Sequence, residues 1–197
     1  MARREHGMEP LLGIPVGLAL STAAGLRVFV PLLLTGLAGR FGYLPLTPGM
    51  SWIASDTALL AFATATLLEI GGYYVPWLDN LLDTLATPAA ITAGVVATAA
   101  VTPELSPLLR WTLAIVAGGG VAGIVQAATA LLRVKASAFT AGMGNPVLAT
   151  GELMGSLALS VLALIVPLLA AALAAAALTI LAWRLVVIGR HRARRSA

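Results

Sequence analysis

Five charged residues stand in apolar surroundings: Arg27, Glu69, Arg133, Lys135 and Glu152. Arg27 is the only charge between Leu11 and Gly39, and Glu69 lies deep in the apolar run Thr57–Val75. An ionised side chain at the centre of a bilayer costs about 2.5–3.5 kcal/mol on insertion scales, so each of these needs a partner or a task. Of the 8 acidic residues, only Glu69 and Glu152 fall inside apolar segments. Two chemistries fit. Glu69 paired with Arg27, and Glu152 with Arg133 or Lys135, would fix helix packing. The same groups lining a path would serve a proton, a cation or an anionic solute.

The stretch from Arg133 to Gly151 adds backbone chemistry. Its Gly142, Gly144 and Asn145-Pro146 cannot continue one helix. Non-helical backbone at membrane depth survives only inside protein or beside water. A re-entrant loop whose amides hold an anion is therefore one reading, and an ordinary cytoplasmic loop between two helices is the other. The Gly-Lys-Ser/Thr ending of a phosphate-binding P-loop is missing. Asp79 and Asp83 share one helical face among Trp77, Leu78 and Leu82, which reads as a short interfacial amphipathic helix with solvated charges.

No Ser-His-Asp, His-Glu-x-x-His or acidic metal cluster occurs. His6 and His191 sit in the polar ends, and there are 0 cysteines. The chain is therefore read as a non-enzyme with no cofactor and no metal.

The elements that must position these residues belong to a membrane. Of 197 residues, 59% are hydrophobic and 10% charged, with a mean hydropathy of +0.97. Soluble domains carry about 25% charge, so the chain uses lipid as its main solvent. The pI near 10.3 comes largely from arginines at the two ends, which act as a topology signal; nucleic acid is not an expected partner.

Apolar blocks at Leu11–Ala38, Thr57–Val75, Thr84–Val101 and Trp111–Leu132, with Leu153–Ile188 split near Pro167, predict about six transmembrane helices. Leu11–Ala38 reads as a retained first span and not as a cleaved leader. Basic clusters at both ends place both termini in the cytoplasm of an inner (plasma) membrane protein. Residues 1–10 and 189–197 are then cytoplasmic tails, and 11–103 and 108–188 two three-span units. Sliding the chain by 106 residues sets Leu26-Arg27-Val28 on Leu132-Arg133-Val134, Gly17 on Gly123 and Gly36 on Gly142. A three-span repeat of this kind is inverted, with a site where broken or re-entrant helices meet. The fold class is thus all-α and polytopic, with an inverted 3+3 repeat.

The chain resembles the bacterial membrane-protein family DUF4126, a domain of unknown function. The resemblance rests on Gly25-Leu26-Arg27-Val28-Phe29-Val30-Pro31, on Leu67-Leu68-Glu69 followed by Pro76, Asp79 and Asp83, and on Lys135-x-Ser137, Gly142-x-Gly144-Asn145-Pro146 and Glu152. It covers about Leu12 to Val187. Before Pro76 the family pattern leads to charged residues where this chain has Gly71-Gly72-Tyr73-Tyr74, so no chemistry is placed at that corner. The resemblance implies an integral membrane protein and no particular activity.

The expectation is a small transporter or channel for a small solute or ion, an anionic one among the candidates. Its site residues are Arg27, Glu69, Arg133, Lys135, Gly142, Gly144, Asn145 and Glu152. A lipid head-group binder or lipid translocator is the alternative, and a scaffold of packed small-residue helices a third reading. Its surroundings are the bilayer and a second copy of the chain, joined through Gly118–Gly120 or the Ala170–Ala177 run.

Overall fold

The computed structural model describes residues 12–72, 76–140 and 143–193, with side chains for 12–72, 85–140 and 143–183. Seven helices follow one another: α1 (Gly13–Leu26), α2 (Phe29–Arg40), α3 (Asp56–Gly72), α4 (Pro76–Ala100), α5 (Pro107–Thr140), α6 (Asn145–Ile165) and α7 (Pro167–Ala193). A short 3-10 turn, Ser51–Ala54, precedes α3, and α5 contains a π-turn at Ala114–Gly119. No strand occurs among the described residues. Two helices, α5 and α6, are long and apolar enough to cross a membrane, while α1, α2 and the apolar parts of α4 and α7 are shorter.

Side chains are distributed opposite to a water-soluble bundle. Small residues fill the interior, with Ala19, Ala23, Ala24, Ala97 and Ala122 at 0% exposure, whereas Leu60, Val116, Phe139 and Val147 lie at least 70% exposed. Helices that associate in lipid gain little from burying large apolar groups and meet instead through small residues that let backbones approach. At Gly25 a Cβ would lie 2.6 Å from the Ala122 carbonyl oxygen of α5, so only glycine permits this crossing. Hydroxyls supply the specific bonds: Ser21 on α1 donates to the Gly94 carbonyl (3.1 Å) and bonds Thr98 (2.7 Å) on α4.

Prolines place the helix ends. The Pro31 ring excludes the carbonyl four residues back, that of Arg27, and Arg27 is indeed extended (φ −145°, ψ 123°) between α1 and α2. Pro76 and Pro167 open α4 and α7, where a missing N–H costs nothing. Pro88 sits inside α4. Asp79 and Asp83 fall in this one continuous helix, not in a separate interfacial one; their side chains lie outside the described residues.

The break at Arg27 is a reversal, which corrects the expectation of one span over Leu11–Ala38. Along α6, Arg27 meets Ala149 and Ala23 meets Ser156, so α1 runs opposite to α6. Further along α6, Val161, Leu164 and Ile165 share a groove with Leu34, Ala38 and Phe41, so α2 runs with α6. Hence α1 and α2 form a hairpin with Arg27 at its tip. Its open end also holds the C-terminal end of α4: Gly13 packs on Val101 and Thr102, and Thr47 bonds the Ala99 and Ala100 carbonyls.

Two further directions follow from contacts. Ile14 and Leu18 line a small cavity with Leu113 and Ala117, while Gly25 meets Ala122 and Val125, so α1 and α5 run the same way. The offset that sets Arg27 on Arg133 therefore relates two parallel helices and not an inverted pair. The glycine run assigned to contact between copies is used within the chain: Gly118 packs on Gly94 and Thr98, and Gly119 on Val95 and Ile91, all of α4. Of the Ala170–Ala177 run, Ala170 and Ala174 are buried within the chain, while Ala172 and Ala175–Ala177 are exposed.

Candidate functional site: a charged cluster at the hairpin tip

Four ionisable residues from distant parts of the chain meet at the tip of the α1–α2 hairpin. Arg27, Glu69, Arg133 and Glu152 are 2%, 8%, 7% and 8% exposed. Glu152 of α6 is the centre. Arg133 of α5 donates to it through Nε (3.2 Å to Oε1) and through Nη2 to Oε2, a two-pronged pairing. The Arg27 Nη2 lies 3.6 Å from Glu152 Oε2 and donates to the Ala149 carbonyl at 2.6 Å, one turn earlier on α6. The one nitrogen Nη2 of Arg27 thus faces both a carboxylate and a carbonyl.

Glu69 takes another role. Its carboxylate accepts the Val28 N–H (2.9 Å) and the Phe29 N–H (3.3 Å), the first free amides of α2. It is a helix cap delivered from another helix, where the N-terminal dipole favours a negative charge. Sequence reasoning paired Glu69 with Arg27 directly; the bonds instead go to the backbone beside Arg27. Among the described residues the cluster thus brings together two arginines and two carboxylates.

A polar seam leads away from the cluster. Glu152, Ser156 and Ser160 recur every four residues on the buried face of α6, and Ser156 donates to the Ala23 carbonyl of α1 (3.0 Å). Gln126, Thr129 and Arg133 form the matching buried stripe on α5. The i, i+4 spacing of Glu152-x3-Ser156-x3-Ser160 inside an apolar helix was the available signal for this seam. The Ala149 carbonyl carried none, because every residue has a carbonyl.

Lys135 does not join. It is exposed, since two residues after Arg133 means nearly opposite faces of α5. The segment 133–151 is not an extended loop: α5 continues to Thr140 and α6 begins at Asn145. Gly144 donates its N–H to the Thr140 hydroxyl (2.9 Å), and Asn145 bonds Ser137 through both side-chain atoms (3.0 and 3.2 Å). Those bonds link the end of α5 to the start of α6 and involve none of the four cluster residues. Gly142 lies outside the described residues.

Among the described residues no group of three His, Asp or Glu could hold a metal ion. What the arrangement can do is hold opposite charges in a low-dielectric interior and exchange partners when one charge is neutralised or displaced. Neither the curated proteins nor the solved structures hold a match to this chain. The Arg27 tip, Glu69 and Glu152 carry the pattern noted in the sequence, and a family match spans residues 14–187: the chain belongs to DUF4126, a domain of unknown function.

Proposed function

We propose that the protein is a small membrane transporter or channel for a small solute or ion, an anionic one fitting the arginines best. The observation that carries this is the broken helix pair whose tip sits in the four-charge cluster. Interrupted helices and ionised residues at membrane depth are features of solute and ion pathways, because a purely structural bundle has no need of the desolvation they cost. In this reading α1–α2 enters and leaves on one face of an inner membrane while α3 to α7 cross it. That replaces six crossings by five plus a re-entrant hairpin, and puts Gly13 and the end of α7 on opposite faces. The cluster would act as a gate, with Glu69 and Glu152 exchanging partners as solute or proton passes.

The test is flux of small anions into proteoliposomes of the purified chain, beside Glu69→Gln and Arg133→Gln variants shown to be folded. Flux in the parent and its loss in the variants supports the reading. Absence of flux for anions, cations and protons alike would retire it.

A second reading has its own observation. Two apolar grooves flank α2, about 460 Å³ against α4 and about 360 Å³ against α6. Trp52 lies beside the first and Tyr43 beside the second, both exposed aromatics of the kind found at head-group level. Side grooves beneath such aromatics fit acyl chains, so lipid handling is the alternative. Lipid scrambling in the same vesicles, without solute flux, would favour it.

A further inference from the structure

The π-turn Ala114–Gly119 joins two halves of α5, each of which packs on both α1 and α4. Before and within the turn, Ala114, Gly118 and Gly119 are buried, with Gly118 and Gly119 against α4. After it, Ala122 and Val125 meet Gly25 of α1, and Arg133 meets Glu152 of α6. A π-turn holds one residue more than the α-turn it replaces, so everything beyond it is rotated by about 100° relative to a straight α-helix. Without that extra residue, contacts made by the first half would leave Arg133 turned away from Glu152.

The turn is held on one face, where a Cβ at Gly118 or Gly119 would meet α4 within 3 Å, and is open on the other. A Cβ at Gly120 meets nothing within 4 Å, and a cavity of about 20 Å³, lined by Ile14, Leu18, Thr98 and Ala117, adjoins Gly118. The run Gly118-Gly119-Gly120 also weakens any preference for a regular helix.

We propose that the π-turn is a register switch for the charged cluster. The residue it stores aims Arg133 at Glu152, and passing that residue along α5 releases Arg133 from Glu152 without unfolding the helix. The device is independent of what the protein carries, and its test reads no transport.

Two measurements on the full chain in detergent decide it. The first compares single-residue deletions by folded yield on size exclusion. Deleting Gly120 lets the π-turn close to α while both faces stay in place, so yield stays within about twofold of the parent. Deleting Ala127, an exposed position in the regular helix, must misplace either Ala122 and Val125 or Arg133. Yield then falls at least about tenfold, because either a close helix crossing or a buried ion pair is lost. Equal loss from both deletions overturns the aiming role. The second is amide hydrogen exchange of residues 114–133 in the parent against Gly120→Ala, which adds a better helix former where nothing clashes. Exchange slowed at least about threefold by alanine supports release through the turn. Unchanged exchange overturns it.

Discussion

Arg133 holds Glu152 by two guanidinium nitrogens, joining α5 to α6. Arg27 approaches the same carboxylate from the hairpin tip, 3.6 Å away. One anion thus ties the hairpin tip to α5 and α6, and removing it takes a carboxylate away from two buried cations. Glu152→Ala is expected to lower stability by about 3–5 kcal/mol or to abolish folded yield. Arg133→Ala costs less, because Arg27 remains beside Glu152. The double variant Arg133→Ala/Glu152→Ala should lose less than the sum of the two. Thermal unfolding in detergent checks this; strict additivity would mean the pair is not coupled.

Glu69→Ala leaves the Val28 and Phe29 amides without their acceptor. A cap of this kind is worth about 0.5–2 kcal/mol, more when burial denies the amides water. Glu69→Gln keeps a carbonyl acceptor for one amide and should fall between Ala and the parent. Melting curves in detergent give the order. If Gln is as damaging as Ala, the charge and not the cap is what stability requires.

The hairpin predicts labelling from one face. With 0 native cysteines, single cysteines at Leu12 and Tyr43 can be tested without background. Both should react with an impermeant thiol reagent from the same side of the membrane, and a cysteine at Met143 from the other. Leu12 and Tyr43 reacting from opposite sides would show that α1 and α2 make one crossing.

Gly25→Val should be among the most damaging single changes in α1. Its new Cβ would lie 2.6 Å from both the Ala122 carbonyl oxygen and the Val125 Cβ, and backbone cannot yield as a flexible side chain does. Overpacking of this kind costs about 1–3 kcal/mol or more. Gly71→Ala is the control, since nothing lies within 4 Å there. Comparable melting temperatures for the two would contradict the close α1–α5 crossing.

Lys135→Ala should leave stability within about 0.5 kcal/mol of the parent, as for exposed positions generally. A loss as large as that of Arg133→Ala would place Lys135 in the cluster after all.

The sequence by itself determined that the chain is helical and apolar, that its last apolar block breaks near Pro167, and which charges are out of place. Pro167 acts through its own ring, and Arg27, Glu69, Arg133 and Glu152 stand out against their apolar neighbours, so both features are local. Only the tertiary structure decided that the break at Arg27 reverses the chain. Proline forbids a straight helix but leaves the angle of departure to packing, here to Glu69 capping α2 and Arg27 reaching α6. Partner choice was also beyond the sequence. Two arginines and two carboxylates allow several pairings, and shape selected Glu152 for the arginines and backbone amides for Glu69. Lys135 and Arg133 look alike on paper; half a turn of helix buries one and exposes the other. Helix directions were equally hidden, because a repeat of small and apolar residues carries no sign of parallel or inverted packing, whereas the contacts of Gly25 with Ala122 and Val125 do.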